Sequence, residues 1–412
     1  MAQPDNTTKK GNSSSQSCPE QPVRSDRQEL RVGLVGYKFM GKAHSNAYQR
    51  VGMFFDPAAR VRMRVLCGRD RDWVTKAAEK FGWDEVETSW EALVRRDDID
   101  IVDITTPSNF HRDIAIGAAE HGKHIFCEKP LALTLEGARE MLAAAEKNHV
   151  RHQVGFNYRF APAVQLAKKL IADGRLGQIH HFRGQYLQDW ILNPDFPLVW
   201  RLDKQVAGSG SHGDLGAHLI DMAHFLVGDF KRVIGMSKTF VTERPLVEKM
   251  TGLSGEARDN APRGKVEVDD ATLFLGEFAE GGLCSIEATR FAAGYKNAMF
   301  FEVNGSRGSL RFAFERMNEL EVYFTDDEPG LRGFRLIQTT EGIHPYASAW
   351  WPAGHVIGYE QTFVHEIYEF IQSIALNRPA SPDFRDGVRC AQVLEAVDLS
   401  IREGCWVNVA DL

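Results

Sequence analysis

The sequence predicts an α/β protein: an N-terminal doubly wound parallel sheet, then an α+β region with a mainly antiparallel open sheet. Strand-like and helix-like segments alternate over residues 30–157, which is typical of β-α-β units. The strands there are nearly continuous apolar runs, as expected when both faces of a sheet are buried. Beyond residue 157, apolar and polar residues alternate along the strands, which indicates one covered and one solvated face. A chain of 412 residues can form two domains, and we predict them at 30–157 and 158–412.

Each element of the first region follows from an apolar run and the residue that ends it. Gly82 and Gly122 suit the position just after a helix, Pro107 stops a strand, and Thr134 can cap a helix. Strands are predicted at Leu30–Val35, Val61–Cys67, Ile99–Thr105, His124–Cys127 and Gln153–Asn157. Helices are predicted at Met40–Val51, Arg71–Phe81, Phe110–Glu120 and Leu135–Asn148.

In the second region, strands are predicted where apolar and polar residues alternate, and helices where apolar residues recur every three to four positions. In Leu283–Arg290, apolar residues alternate with Ser285, Glu287 and Thr289. Further strands are predicted at 267–277, 298–304, 309–314 and 320–324, with turns at Gly281-Gly282 and Asn304-Gly305. Helices are predicted at Ala163–Asp173, Gly213–Val227, Tyr359–Asn377 and Phe384–Gly404. The polar stretch 245–265 contains Gly and Pro, and we predict a mobile loop there.

The composition argues against several classes of protein. Lys plus Arg number 49 and Asp plus Glu 56, a net charge of −7, which argues against a nucleic-acid binder that relies on positive charge. No apolar run approaches the roughly 20 residues that span a bilayer, so no membrane partner is expected. Six scattered cysteines favour a reducing, cytoplasmic location over a disulfide framework. Residues 1–29 are polar and are predicted to be a disordered tail.

A glycine pattern between the first strand and the first helix predicts a dinucleotide site. Gly36, position 38 and Gly41 have the spacing of G-x-G-x-x-G, where glycine permits a tight turn and close helix–strand packing. The free N–H groups of the following helix can hold a pyrophosphate. Lys38 departs from the pattern; its ammonium could lie beside the pyrophosphate, or the glycines could serve the turn alone. Cofactor contacts are predicted for Gly36, Tyr37, Lys38, Phe39, Met40 and Gly41.

The end of the second strand leaves open whether the cofactor is NAD or NADP. Gly68 stands where an acid would bind a ribose 2′-hydroxyl. Arg69 could meet a 2′-phosphate or lie on the adenine, and Asp70 could turn toward the ribose. Arg69 and Asp70 could equally form a solvated turn. These residues favour NADP slightly, and Gly68, Arg69 and Asp70 are all predicted cofactor contacts.

Charged residues at a strand end and at a Gly-rich helix start are candidates for the chemistry. Lys129 follows Glu128 at the carboxyl end of a parallel strand, where ligands bind. It can stabilise negative charge on a substrate oxygen or pair with Glu128. Asp214 and His218 share a helix face with Asp221. A histidine beside carboxylates is a tunable general base, although His218 and Asp214 could instead only stabilise the helix start.

Motifs of other enzyme classes are missing from the sequence. It contains no H-E-x-x-H, and His218 and His224 do not have that spacing, which argues against a metal site. It contains no G-x-S-x-G nucleophile elbow and no G-K-[ST] phosphate loop. No metal cofactor is therefore expected.

Together these motifs resemble the glucose–fructose oxidoreductase, inositol dehydrogenase and MocA family, from about Leu30 to the C-terminus. The stretches that carry the resemblance are 35–44, 106–111, 128–130, 155–160 and 214–221. The resemblance implies a Rossmann domain and an α+β domain that binds substrate and joins subunits into a homodimer or homotetramer. It implies reversible hydride transfer between nicotinamide and a secondary alcohol of a sugar, glycoside or cyclitol. Further cofactor contacts are implied at Thr106, Pro107, Asn109, His111, Glu128, Lys129 and Asn157.

The resemblance assigns the chemistry to Lys129, Asp214 and His218. We expect His218 to remove the hydroxyl proton as hydride leaves and Lys129 to stabilise the developing alkoxide. Asp214 is expected to orient His218 or to hold a neighbouring sugar hydroxyl. Substrate contacts are predicted for Tyr158, Arg159, Trp190, Trp200, Arg201, Asp214, His218 and His355. The aromatic residues could instead pack in the core, and Arg159 could pair with Asp221.

Other functions are open to the same fold. It can cleave a glycosidic bond through transient oxidation with a tightly held NAD, or oxidise position 3 of an intact glycoside. It can also serve as a non-catalytic sensor of a sugar or nucleotide. The joint presence of Lys129, Asp214 and His218 argues against the sensor.

Overall fold

The computed structural model describes residues 27–251 and 254–412. Of the predicted disordered tail, residues 1–26 lie outside the described residues, and Glu29 already begins the first strand. Two large sheets with helices packed on them form the architecture. No helix within the described ranges is both long and apolar enough to cross a bilayer.

The first sheet is parallel and has helices between its strands. Its strands are β1 (Glu29–Val35), β2 (Arg60–Cys67), β3 (Glu85–Glu87), β4 (Ile101–Ile104), β5 (His124–Glu128) and β6 (His152–Gly155). Its helices are α1 (Phe39–Phe54), α2 (Arg71–Phe81), α3 (Trp90–Val94), α4 (His111–Glu120) and α5 (Leu135–Lys147). The strand order β3-β2-β1-β4-β5-β6 reverses its direction between β1 and β4. The carboxyl ends of these two strands therefore flank the crevice in which such sheets bind ligands.

Burial on both faces explains why the strands of the first sheet are continuous apolar runs. Every residue of β4 and of β6 is buried, so helices cover the sheet on both sides. The short elements β3 and α3 are the ones that the sequence did not predict. Three strand residues and five helix residues are too few for a periodic pattern to show.

The second region supplies the remaining elements. Its strands are β7 (Ile179–Leu187), β8 (Phe230–Lys238), β9 (Glu243–Pro245), β10 (Lys249–Thr251), β11 (Ser254–Glu256), β12 (Arg263–Lys265), β13 (Ala271–Phe278), β14 (Leu283–Thr289), β15 (Ala298–Gly305), β16 (Gly308–Ala313), β17 (Glu319–Phe324), β18 (Arg335–Gln338) and β19 (Val407–Asn408). Its helices are α6 (Pro162–Ala172), α7 (Lys204–Ala207), α8 (Ala217–Leu226), α9 (Tyr359–Ala375) and α10 (Phe384–Glu403).

The second sheet is mainly antiparallel. Its strand order is β18-β17-β16-β15-β7-β14-β13-β8-β19, and only β7 and β14 run parallel to each other. The predicted fold class, a doubly wound parallel sheet followed by an α+β region, is confirmed. Strands β7 and β8 were not predicted. In β7 the buried residues Phe182, Gly184 and Tyr186 alternate with polar ones. The alternation is hard to detect in the sequence, because Gly184 has no apolar side chain.

Segment 245–265, predicted as a mobile loop, contains short paired strands instead. β9 pairs with β12, and β10 pairs with β11. A small apolar cluster holds the segment, and its members are Ile191, Val199, Leu202, Val266 and Val268. Gly264 fits closely against Leu198, because a Cβ there would lie 2.7 Å from that side chain. The segment is therefore not a loop throughout. The sequence did not reveal these strands, because three residues in a polar stretch have no periodicity to detect, and the mobility of the segment stays a prediction.

The last helices return to the first sheet. α9 packs against α1, and Phe363, Val364 and Ile367 share an apolar cluster with Val32 and Leu34 of β1. α10 packs against both α5 and β8. C-terminal residues therefore cover part of the parallel sheet, and the division at 157/158 stays a prediction.

Candidate active site

Two adjoining cavities open at the carboxyl ends of β1, β4 and β5. The narrow cavity has a volume of about 130 Å³ and lies along the loops that follow these strands. The wide cavity has a volume of about 540 Å³ and extends to β7 and the second sheet. The residues that line both cavities are Phe39, Met40, Glu128, Lys129, Arg201 and Asp214. The narrow cavity thus leads into the wide one past two of the predicted catalytic residues.

The Lys129 ammonium is fixed against Asp214. Its Nζ donates to Oδ1 of Asp214 at 2.8 Å and to the carbonyl oxygen of the same residue at 2.9 Å. The contact with Glu128 is different, because only the backbone N–H of Lys129 donates to that carboxylate, at 3.1 Å. An ammonium has three N–H donors. One donor is therefore left for a ligand oxygen in the cavities that Lys129 lines.

Arg290 binds Asp214 from the other side. Its Nη2 donates to Oδ2 of Asp214 at 2.8 Å, and its side chain is buried. Its Nε and Nη1 have no hydrogen-bond partner in the part of the chain that the structure describes. Burial alone would raise the pKa of Asp214. The charges of Lys129, Arg290 and Arg201 nevertheless hold that pKa well below its usual range, so the group is a carboxylate with a cation on each oxygen.

His218 lines the wide cavity beside this ion pair. Its ring stacks on Tyr158 with the ring centroids 4.4 Å apart. Burial lowers the pKa of His218 well below its ordinary value, and the charge of Lys129 lowers it further. No hydrogen bond between Asp214 and His218 is present among the described residues. The ring is therefore a neutral imidazole that can accept a proton.

A π-helical turn carries Asp214. Residues His212–Gly216 form this turn immediately before α8, and such turns are frequent at functional sites. The preceding loop is held by Asp269, whose carboxylate accepts from the N–H groups of Gly210 at 2.7 Å and His212 at 2.8 Å. Gly210 is required here, because a Cβ would lie 1.7 Å from the Asp269 carbonyl oxygen. The glycines thus let the loop fold tightly and set the position of Asp214.

The glycine turn after β1 fits the phosphates of a dinucleotide. Gly36 has a φ of +109°, and a Cβ on Gly41 would lie 2.1 Å from the Gly36 carbonyl oxygen. No described side chain caps the N-terminus of α1, which leaves its first N–H groups for an anion. Across the turn, Thr106 Oγ1 and Asn109 Oδ1 are buried without a partner among the described residues. A bound dinucleotide would supply groups for these atoms.

The end of β2 shows the surroundings of Gly68, Arg69 and Asp70, whose cofactor contacts stay a prediction. The Tyr37 ring fills the space beside Gly68, since a Cβ on Gly68 would lie 2.2 Å from that ring. Asp70 Oδ1 accepts from the Trp73 N–H at 3.0 Å and caps α2. The Arg69 guanidinium lies over the ring of Phe110, 5.5 Å from its centroid. Asp70 is thus engaged by the helix, and Arg69 remains available to a nucleotide.

The other predicted cofactor contacts lie in three kinds of place. Those that line the narrow cavity are Lys38, Phe39, Met40, Thr106, Pro107, Glu128 and Lys129. His111 lines neither cavity, because its two ring nitrogens each lie 3.0 Å from a backbone carbonyl oxygen, one of Thr106 and one of Pro130. Asn157 lines the wide cavity and donates to Thr362 Oγ1 at 2.8 Å.

The predicted substrate contacts also divide. Those that line the wide cavity are Tyr158, Trp190, Arg201, Asp214 and His218. Trp200 lines the narrow cavity instead. Arg159 lies in the core, where its Nε donates to Asp221 Oδ2 at 2.8 Å. His355 is exposed, lines neither cavity and has its Nδ1 2.9 Å from the Pro352 carbonyl oxygen. The structure thus does not bring Arg159 or His355 to the site.

Several cavity residues were not predicted from the sequence. They come from strands, loops and the start of α9, which meet only in the fold: Tyr186, Gln188, Phe196, Ser254, Arg290, Lys296, Asn297 and Tyr359. Arg290 is the one with a sequence signal, since it stands at the end of a predicted strand. Nothing in the sequence shows, however, that Asp214 lies opposite it.

Comparison with known proteins establishes the family. A family profile described as an oxidoreductase family with an NAD-binding Rossmann fold matches residues 30–156, and a GFO/IDH/MocA C-terminal domain profile matches residues 164–311. The chain belongs to the GFO/IDH/MocA oxidoreductase family. The predicted resemblance is thereby confirmed, and with it an oxidoreductase activity that uses NAD(P).

The relatives cover nearly the whole chain. It is 43% identical to a levoglucosan dehydrogenase of Pseudarthrobacter phenanthrenivorans, over 93% of this chain and 99% of that protein. It is 27% identical to an inositol 2-dehydrogenase of Rhizobium meliloti, over 92% of this chain and 99% of that protein. A solved structure of levoglucosan dehydrogenase with NADH and levoglucosan has a TM-score of 0.88 at 42% identity, covering 93% of this chain and 100% of the other.

The role of Asp70 gives a first prediction. Asp70→Ala should lower the free energy of unfolding by about 1 kcal/mol, because it removes a helix cap. Asp70→Ser should retain most of that stability, because serine also caps helices. Neither variant should change the NADH dissociation constant in a fluorescence titration. If both variants bound NADH several-fold more weakly while urea unfolding was unchanged, Asp70 would be a ribose contact instead.

Proposed function

We propose that this chain oxidises, reversibly, a secondary alcohol of a sugar, anhydrosugar, glycoside or cyclitol with NAD or NADP. The proposal rests on Lys129, Asp214 and His218, which all line the wide cavity. A neutral imidazole and an ammonium there provide a proton acceptor and a partner for an oxyanion, which alcohol oxidation requires. Relatives named for levoglucosan and inositol support this substrate class.

In this mechanism His218 accepts the hydroxyl proton, and Lys129 donates its remaining N–H to the developing alkoxide oxygen. A bound nicotinamide supplies the hydride acceptor. Asp214 fixes Lys129 and does not orient His218, because its two oxygens bind Lys129 and Arg290. The two groups are thus positioned separately. An ion pair fixes the ammonium of Lys129, and aromatic packing fixes the imidazole of His218.

The wide cavity suits a small polyol. Its volume lies within the range of small-molecule sites, about 300–1,000 Å³. Trp190 offers aromatic surface to the C–H groups of a sugar. Gln188 and Asn297 offer amide groups to hydroxyls, and Trp190 Nε1 fixes Gln188 by donating to its Oε1 at 2.8 Å. Together these residues provide both the apolar and the hydrogen-bonding surface that a sugar ring needs.

Turnover of free alcohols is the direct test. The full chain should reduce NAD or NADP with at least one of levoglucosan, myo-inositol, D-apiose and glucose 6-phosphate, followed by NAD(P)H absorbance. Lys129→Met should lower kcat by about 10²–10³-fold, because a donor to the oxyanion is lost, while NADH binding is retained.

The matched control for this test is Lys169→Met, which removes an exposed lysine paired with Asp173 and should leave kcat unchanged. Parental turnover by Lys129→Met would disprove the catalytic role. Cleavage of a glycoside without net NAD(P)H would instead indicate the transient-oxidation enzyme, and oxidation of intact glycosides alone would indicate the 3-dehydrogenase.

The pH dependence follows from the state of His218. A general base acts in its neutral form, which is present above its pKa. Burial lowers that pKa well below the ordinary value of 6.5, so the base stays neutral as the pH falls to 6.5. The acid limb of kcat/KM, which reports the free enzyme, should therefore lie below pH 6.5. A limb at or above pH 6.5 that disappears in His218→Gln would contradict this assignment.

We further propose that the open face of the second sheet joins copies of the chain into a homodimer or homotetramer. Large apolar side chains on neighbouring strands are exposed there: Met236, Leu273, Leu275 and Leu283. Exposed apolar patches of this kind mark protein contacts.

We also propose that the protein is cytoplasmic, because the free thiols of the described cysteines favour a reducing compartment.

Leu275→Glu should dissociate the assembly, because it places a charge in the middle of the apolar surface that the contact between copies would bury. Light scattering should then give a mass near the 46.3 kDa of one chain, whereas the parental chain gives a multiple of it. Leu376→Glu changes another exposed leucine and should leave the parental mass unaltered. A parental mass of 46.3 kDa would rule out the assembly.

A further inference from the structure

A buried histidine lies behind the active site, between two carboxylates. His44 belongs to α1 and is fully buried. Its Nδ1 lies 2.9 and 3.0 Å from the two oxygens of Asp103 in β4, and its Nε2 lies 3.0 Å from Oε1 of Glu128. These three side chains, which we call the acid–histidine triad, join helix α1 to the centre of the parallel sheet.

The geometry suits a His44 that carries two ring protons. Each ring nitrogen faces a carboxylate, and an ionised carboxylate only accepts hydrogen bonds, so a doubly protonated ring can donate to both acids. Burial by itself would lower the pKa of His44, but Asp103 and Glu128 raise it well above the ordinary value. Burial also raises the pKa of the nearby Glu366 well above its usual value. Neither oxygen of Glu366 has a hydrogen-bond partner among the described residues, so this third acid does not compete for the His44 ring.

The triad is packed so that its members have little freedom. The rings of Phe126 and Phe363 lie 5.3 and 5.6 Å from the His44 ring, measured between centroids. Gly155 leaves the space that the Glu128 carboxylate occupies, because a Cβ there would lie 3.0 Å from Glu128 Oε1. Charge-assisted hydrogen bonds are stronger than neutral ones, and burial away from water strengthens them further. The three side chains are therefore held in fixed positions.

Glu128 transmits this constraint to the active site. Its Oε1 is bound by His44, and its Oε2 accepts the backbone N–H of Lys129 at 3.1 Å. The ammonium of Lys129 in turn reaches Asp214. A continuous polar chain therefore runs from β4 through α1 to the residue whose ammonium faces both cavities.

We propose that His44 is a positioning residue for Lys129, acting through the carboxylate of Glu128. This inference rests on the proposed function, since it concerns the placement of the ammonium in that reaction. A displacement of about 1 Å in a catalytic group can cost about 10²-fold in rate. Loss of the triad should therefore lower kcat far more than it weakens binding of the sugar.

The test compares His44→Gln with His152→Gln in the full-length chain. His152 is a buried histidine of the neighbouring strand β6, and its Nδ1 accepts the Phe384 N–H at 3.0 Å. We expect His44→Gln to lower kcat about 10²-fold with a nearly unchanged sugar KM. His152→Gln should lose a similar amount of stability in urea and keep the parental kcat.

A second readout does not depend on turnover. In the chain labelled with ¹⁵N-lysine, the Lys129 amide resonance should move in His44→Gln and stay in place in His152→Gln. In the parental chain with labelled histidine, the His44 ring should show both N–H protons at about pH 8, where a free histidine is neutral. These signals can be measured even if the parental chain oxidises none of the alcohols offered, which would refute the proposed function alone.

The outcomes separate positioning from a merely structural role. A kcat within threefold of the parental value, an unmoved Lys129 amide, or an equal loss of kcat in His152→Gln would each overturn the proposal. Should His44→Gln fail to fold, Glu128→Gln keeps the side-chain volume and removes the acceptor charge. It should show the same fall in kcat and the same shift of the Lys129 amide, and the absence of both would also overturn the proposal.

Discussion

The ion pair between Lys129 and Asp214 is the contact on which the active site depends. Lys129 follows β5 of the parallel sheet, and Asp214 lies in the π-helical turn that precedes α8, so a bond of 2.8 Å joins elements far apart in sequence. Removing Asp214 would leave the partly buried Lys129 ammonium without its carboxylate, which costs more than losing a surface pair. While α9 and α10 pack the second region onto the first, this contact sets the place of the reactive ammonium.

Two histidines of this chain show how neighbours decide the role of the same side chain. Both His44 and His218 are buried, which by itself lowers the pKa of each. His44 is bonded to two carboxylates, and they raise its pKa well above the ordinary value. His218 is bonded to neither oxygen of Asp214, and the charge of Lys129 lowers its pKa further. The first is suited to hold its neighbours in place, and the second is suited to take up a proton.

The sequence was sufficient where a local pattern holds the information. Apolar runs identified five of the six parallel strands, and the glycines at 36 and 41 identified the turn whose close backbone contacts the structure shows. The motif residues Lys129, Asp214 and His218 do meet at one cavity. Each of these features is encoded within a few residues, by periodicity or by a backbone that tolerates only glycine.

The sequence was insufficient where a residue is defined by a distant partner. Arg159 was predicted as a substrate contact with pairing to Asp221 as the alternative; the structure has the pair, but the sequence alone did not decide between the two. Arg290 was passed over, although it binds Asp214 across the site. Such pairs are charges that must find a partner once they are buried, and the partner is chosen by the topology. No pattern within a short stretch of sequence reveals that choice.

The polar chain through the molecule is better explained by function than by stability. It runs from Asp103 through His44, Glu128 and Lys129 to Asp214. At its far end the described structure leaves Nε and Nη1 of Arg290 buried and without partners. Well-packed apolar residues often stabilise a core more than buried ion pairs do, and incompletely bonded polar groups add a further cost. A chain that served only to hold the fold together would not be expected to end in unsatisfied donors at the wall of a cavity. It is expected where charged groups must be kept in fixed positions around a reacting oxygen, because preorganised dipoles and charges then need not reorganise during the reaction.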